Sequence, residues 1–144
     1  MADERMMQYF TLEEANRTLS YVGPIVQDIV RAYQKWRKGM RELELLSAQS
    51  GGDAAELKQQ QSLRVEIDEV AQRIHRYLDE LSAVGCVFKG FDDGLVDFLS
   101  RLEGRDVYLC WKLGEAEVGY WHELNAGFAG RKELIPELVE GEAE

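Results

Sequence analysis

The chain has 144 residues, 45% hydrophobic and 31% charged, the size and makeup of one ordinary soluble domain and too short for two well-packed cores. At this length roughly 70% of the unfolded surface can be buried, so folding requires neither a disulfide nor a metal, and Cys86 and Cys110 are optional chemistry. A net charge of −10 opposes nucleic acid and anionic membrane as partners; no apolar run approaches the roughly 20 residues of a membrane span, the start Met1-Ala2-Asp3-Glu4 is acidic where a signal peptide is basic, and the expected location is cytoplasmic.

Thr11 followed by Glu14 has capping-box spacing, so a helix should start there. Leu12, Ala15, Leu19, Val22, Val26, Ile29, Tyr33, Trp36, Met40 and Leu43 then recur at alternating spacings of three and four, a helical seam. Pro24 lacks the N–H that would bond back to Ser20, which predicts a kink or a restart at Gly23-Pro24. Ser47 through Asp53 has turn composition, and Asp53 can cap a second helix. The seam of that helix runs Leu57, Gln60, Arg64, Ile67, Val70, Ile74, Tyr77, Leu81 and Val84. Folded about the turn, Leu43 meets the neighbourhood of Gln60, Trp36 that of Ile67, Ile29 that of Ile74 and Val22 that of Leu81, an antiparallel helical hairpin.

Flanking apolar residues, among them Ile25, Val30, Leu45, Leu46, Leu63 and Val65, widen both seams beyond a two-stranded coiled coil. A sheet can cover the near end only. The far end predicts a homodimer through the hairpin, against the alternative of a monomer with a frayed tip. Arg31, Lys35, Arg37, Lys38 and Arg41 form the one basic concentration, suited to acids such as Glu66 and Glu69 of a partner chain.

Near Gly85 the texture changes: glycine recurs and apolar residues alternate. Cys86–Phe91, Leu95–Leu99, Val107–Leu113 and Val118–Leu124 have strand composition, separated by turns at Asp92-Asp93-Gly94, Glu103-Gly104-Arg105 and Gly114-Glu115-Ala116. The expected fold is α+β: a long antiparallel helical hairpin followed by a small three- or four-stranded antiparallel β-meander. Residues 1–136 form a single domain, with the hairpin over 11–84 and the meander and a Gly-rich loop over 85–136; residues 137–144 are a disordered acidic tail. Residues 1–84 hold 11 basic and 14 acidic residues and 85–144 hold 6 and 13, so the sheet half is the more acidic.

Polar and aromatic residues are densest in Leu109-Cys110-Trp111-Lys112-Leu113-Gly114-Glu115, Tyr120-Trp121-His122-Glu123 and Gly127-Phe128-Ala129-Gly130-Arg131. With Tyr9-Phe10-Thr11-Leu12-Glu13-Glu14-Ala15-Asn16 and Gly94-Leu95-Val96-Asp97-Phe98, these stretches resemble domain-of-unknown-function family 2203, found in bacterial proteins, over nearly the whole chain. The resemblance implies no activity. Leu99 stands where members often have proline, which predicts a softer bend there.

Asp97, His122 and Glu123, with Glu115, are the residue types of a divalent-metal site, although their spacing is no known ligand signature. Around them, Trp111, Glu115, Trp121 and Arg131 are candidate ligand-binding residues, the tryptophans as walls. In a hairpin with a short turn near Glu115, Cys110 neighbours Trp121 on one face while His122 neighbours Leu109 on the other. That separates Cys110 from His122 and disfavours a thiol nucleophile with a histidine base. One residue of slip reverses the arrangement. The competing structural reading makes His122 a sheet histidine bonded to a carboxylate or carbonyl, with Asp97 and Glu115 serving turns. Gly127 through Arg131 offers backbone N–H groups and a guanidinium to an anion, or else Arg131 pairs with an acid and Phe128 docks on the core.

The residues support two functions. One is a homo-oligomeric interaction or scaffold protein built on the hairpin; the alternative is a small-ligand or metal-dependent enzyme with its site on the sheet.

Overall fold

The structure is a computed structural model and describes residues 8–49 and 51–135. The first helix, α1, spans Leu12–Gln49. Its start is the capping box: Glu14 N donates to Thr11 Oγ1 at 3.0 Å, and Thr11 N donates to Glu14 Oε1 at 2.9 Å. Pro24 lies inside α1 without dividing it. Ser20 and Pro24 are on the exposed side, where water can take the carbonyl that the proline leaves without a donor. The second helix, α2, spans Ala54–Val84, capped by Asp53, whose carboxylate accepts Glu56 N at 2.8 Å. It stops at Gly85, where a φ of +108° lets the glycine N–H reach the carbonyls of Leu81 and Ser82.

The helices fold back on one another as the seams require, in a register shifted by about one turn. A Cβ on Gly39 would stand 2.9 Å from Ile67, so Ile67 sits at Gly39 rather than at Trp36. Gln60, a polar interruption in the second seam, is buried, and its amide donates to the Leu46 carbonyl at 3.4 Å. Ala32, Val70 and Ile74 form a small core midway along, with Tyr33 and Trp36 packed on it. Towards the turn Leu45, Leu57 and Val65 are each more than half exposed.

Five antiparallel strands follow in the order β1 (Val87–Gly90), β2 (Leu95–Leu102), β3 (Arg105–Lys112), β4 (Tyr120–Glu123) and β5 (Lys132–Glu133). The fold is therefore α+β with a helical hairpin and a meander, extended by a two-residue strand where the sequence predicts loop. β2 and β3 are joined by Glu103-Gly104, both with positive φ (54° and 78°), the backbone of a tight two-residue hairpin turn. Leu99 sits inside β2, paired with Tyr108, and the strand continues past it. The chain before α1 lies along the edge of β2 that β1 leaves open: Phe10 N donates to Leu99 O at 2.7 Å, and Ser100 Oγ donates to the Phe10 carbonyl.

One face of the sheet packs on the open end of the hairpin. Val96, Phe98, Leu102, Val107, Leu109, Trp111 and Trp121 meet Val22, Ile25, Val26, Ile29 and Leu81, with Phe10 edge-on to Phe98. The other face points away from the helices, and an ordinary two-layer fold would leave it wet. Yet β2 is buried without alternation from Val96 through Ser100, and Asp97, Leu99, Cys110 and His122, all on the outward face, are buried as well. Polar side chains buried there need a specific explanation. The acidic segment from residue 137 lies outside the described residues. Among the described residues no helix is long and apolar enough to cross a membrane.

Candidate metal centre

Three neighbouring strands each place one donor on the outward face. Asp97, at the centre of β2, is directly opposite Cys110 on β3, so their side chains share a face at close range. His122 on β4 is opposite Tyr108, two residues from Cys110 and therefore on the same side. The short-turn expectation puts Cys110 and His122 on opposite faces. The structure puts them on one, because the β3–β4 connection is longer than the predicted turn: Glu115 N closes back on Lys112 O, and Val118 N is held by Asn16 Oδ1 of α1 at 2.7 Å. The observed partner of Cys110 is then Tyr120 rather than Trp121.

A carboxylate oxygen of Asp97, Sγ of Cys110 and a ring nitrogen of His122 all lie within 4.8 Å of one another. The three residues expose 2%, 1% and 2% of their surface. His122 Nε2 is 3.1 Å from both oxygens of Asp97, and Nδ1 is 2.8 Å from the Glu123 carbonyl. A carbonyl oxygen only accepts, so Nδ1 carries a hydrogen, and Nε2 faces the carboxylate of Asp97. In metal-bound histidines the ring N–H opposite the metal is held by a carbonyl or carboxylate in this way, which orients the lone pair that binds.

The Cys110 thiol is pushed up to about 12, first by burial and then by the Asp97 carboxylate beside it, with Arg131 pulling the other way. Burial alone raises Cys86, in the helix-facing core, to about 11. A thiol held so far above neutral is a poor nucleophile, since attack needs the thiolate. As a metal ligand the same sulfur is deprotonated by the ion itself. One carboxylate oxygen, one imidazole nitrogen and one sulfur would supply three of the four ligands that zinc-type ions take.

The other candidates are distributed around this cluster. Glu123 contributes its backbone carbonyl to His122, while its carboxylate pairs with Arg105 at 2.9 Å. Glu115 is joined to Arg131 by two hydrogen bonds of 2.9 and 3.0 Å and accepts Lys112 N. The Arg131 guanidinium lies 3.9 Å from the centre of the Tyr120 ring and 4.7 Å from that of Phe128, and also donates to the Cys110 carbonyl. Trp111 and Trp121 are buried in the helix-facing core, on the face opposite His122, with the Trp111 indole donating to Glu115 O. The structure thus brings together Asp97 and His122, adds Cys110, and keeps the two tryptophans apart from them. The signal for Cys110 lay in the separation of Lys112 from Tyr120, which sets the face that each flanking residue occupies.

A family model described as Uncharacterized conserved protein (DUF2203) matches residues 8–134. The chain belongs to domain-of-unknown-function family 2203. The family match covers the hairpin, all five strands and the three clustered donors. No curated protein and no solved structure matches the chain.

Proposed function

We propose that this member of the family is a metal-binding protein that holds one divalent transition-metal ion, of the zinc type, between Asp97, Cys110 and His122. The observation that carries the reading is the burial of these three donors, within 4.8 Å of one another, on the face of the sheet that neither α1 nor α2 covers. Hard ions such as magnesium and calcium need several oxygen ligands and fit poorly; a mixed sulfur, nitrogen and oxygen set suits zinc and its neighbours in the first transition row. An ion there would neutralise the buried carboxylate and take the place of the hydrogen that lies between Nε2 and Asp97. Its open corner would supply Lewis-acid chemistry, the basis of a metal-dependent enzyme. A cytoplasmic setting goes with this reading, because two unpaired thiols persist in a reducing compartment.

A second reading, self-association through the hairpin as a homodimeric interaction protein, is favoured by the exposed Leu45, Leu57 and Val65 on the half of the hairpin beyond the sheet. Sedimentation at several protein concentrations separates monomer from dimer.

Elemental analysis of the purified, untagged protein after incubation with zinc and desalting tests the metal reading. The expected result is near one ion per chain in the wild type and loss of it in His122→Ala and Cys110→Ala. No retained metal in the wild type overturns it.

A further inference from the structure

A site buried to this degree poses an access problem. With Asp97, Cys110 and His122 each no more than 2% exposed, neither an ion nor a ligand for its open corner can enter unless part of the chain moves. The segment Leu124–Arg131, between β4 and β5, is anchored to the outward face through Arg131 on Tyr120 and Phe128 near Lys112. Leu124 through Ala129 are exposed, Phe128 at 40%, and the backbone turns at Gly127 with a φ of +72°. Its start touches the site directly, since Ala126 N donates to the same Glu123 carbonyl that holds His122 Nδ1. Its end is pinned at one residue. Arg131 stacks on Tyr120, the cross-strand neighbour of Cys110, is clamped by the Glu115 carboxylate, and reaches the Cys110 carbonyl. Beyond Arg131 the chain is anchored by the β4–β5 pairing and by Leu134 N donating to Gly119 O at 2.9 Å.

Resting on the metal reading, we infer that Leu124–Arg131 is a flap that gates the Asp97–Cys110–His122 site, with the Glu115–Arg131 pair as its latch. The latch is suited to release. The Arg131 and Glu115 side chains keep 13% and 24% of their surface accessible, and among the described residues the buried Arg131 Nε–H has no hydrogen-bond partner. Glu115 and Arg131 are then positioning residues: they set how often the site opens and bind nothing in it. A gate changes loading and release rates together and leaves affinity nearly constant, whereas loss of a ligand lowers affinity.

The two buried thiols supply the test, because Cys110 is on the outward face, its carbonyl held by Arg131, and Cys86 lies in the core on the other side of the sheet. Metal-free full-length protein is treated with iodoacetamide, and each cysteine peptide is followed by mass spectrometry in the wild type, Glu115→Gln and Arg131→Lys. Gln keeps the acceptor for Lys112 N while losing the charge. Cys110 should react about tenfold faster in both variants, the factor given by weakening one charge-assisted pair, with Cys86 unchanged. An unchanged Cys110 rate overturns the flap, and so does equal acceleration of both thiols, which makes opening global. In the same variants zinc should load, and leave to a chelator, faster by similar factors at nearly constant Kd. A wild type that takes no zinc while the alkylation pattern holds overturns the metal reading and leaves the flap standing.

Discussion

The two faces of the sheet are built from the same strands to opposite ends. The inward face is apolar, packed on the helices and self-sufficient: Val96, Phe98, Leu109 and Val107 are each no more than 1% exposed. The outward face reaches nearly the same burial at Asp97, Cys110 and His122 with a carboxylate, a thiol and an imidazole, groups that are costly to bury unless something pairs with them. Alternation along each strand makes this division possible, since Asp97 lies between Val96 and Phe98, and Cys110 between Leu109 and Trp111. Burial on the inward face is that of an apolar core, while burial on the outward face includes three polar or ionisable side chains in one cluster.

The contrast can be tested from its strongest element downward. Phe98→Ala removes a ring from the inward core and should cost about 3–5 kcal/mol in urea or guanidinium melts. His122→Ala, on a wall exposed to solvent, would be nearly neutral; buried and bonded to Asp97, it should cost about 1–3 kcal/mol in metal-free protein, the penalty of leaving a buried partner unsatisfied. The double variant Asp97→Ala/His122→Ala should cost less than the sum of the two single changes, and simple additivity would dissolve the pair.

Alkaline stability comes next. Both thiols are raised in the folded protein, to about 12 for Cys110 and about 11 for Cys86, so the folded state holds protons that the unfolded state gives up near the ordinary thiol value of 9.0. Stability from these groups is therefore full below about pH 9 and falls as pH rises towards their folded values, by up to about 1.4 kcal/mol per pH unit for each thiol. Cys110→Ser should flatten the decline in urea midpoints over that range, and an unaltered slope would remove Cys110 from it. The smallest effect belongs to the hairpin tip: Leu45→Ala, at a position 56% exposed, should shift stability by less than about 0.5 kcal/mol in the monomer. A larger loss that grows with protein concentration would instead support the hairpin as a self-association surface.

Much of the fold was legible in the sequence where the determinants are local. The capping box at Thr11 and Glu14, the Asp53 cap and the Gly85 stop all act within five residues, and the three-and-four spacing of the seams survives Pro24 because the proline lies off the buried stripe. The hairpin register was legible only to within a turn, since Gly39 lets Ile67 come closer than the seam alone implies. β5 was hidden because two residues carry no periodicity. Of the site, Asp97 and His122 stand out by residue type, while the short-turn expectation puts Cys110 on the face opposite His122. Its face depends on the length of the 113–119 connection, which is fixed by Asn16, 102 positions earlier in the chain at Val118 N. Residue type points to the Glu123 carboxylate, whereas it is the Glu123 backbone carbonyl that meets His122.

Whether an ion is held by a sulfur, a nitrogen and an oxygen on the outward face is decided by X-ray absorption at the zinc edge of the zinc-loaded protein. The expected shell has one sulfur at about 2.3 Å and nitrogen or oxygen neighbours at about 2.0–2.2 Å, with the sulfur lost in Cys110→Ser. A zinc shell of nitrogen and oxygen alone in the wild type, or a sulfur that survives Cys110→Ser, would contradict it.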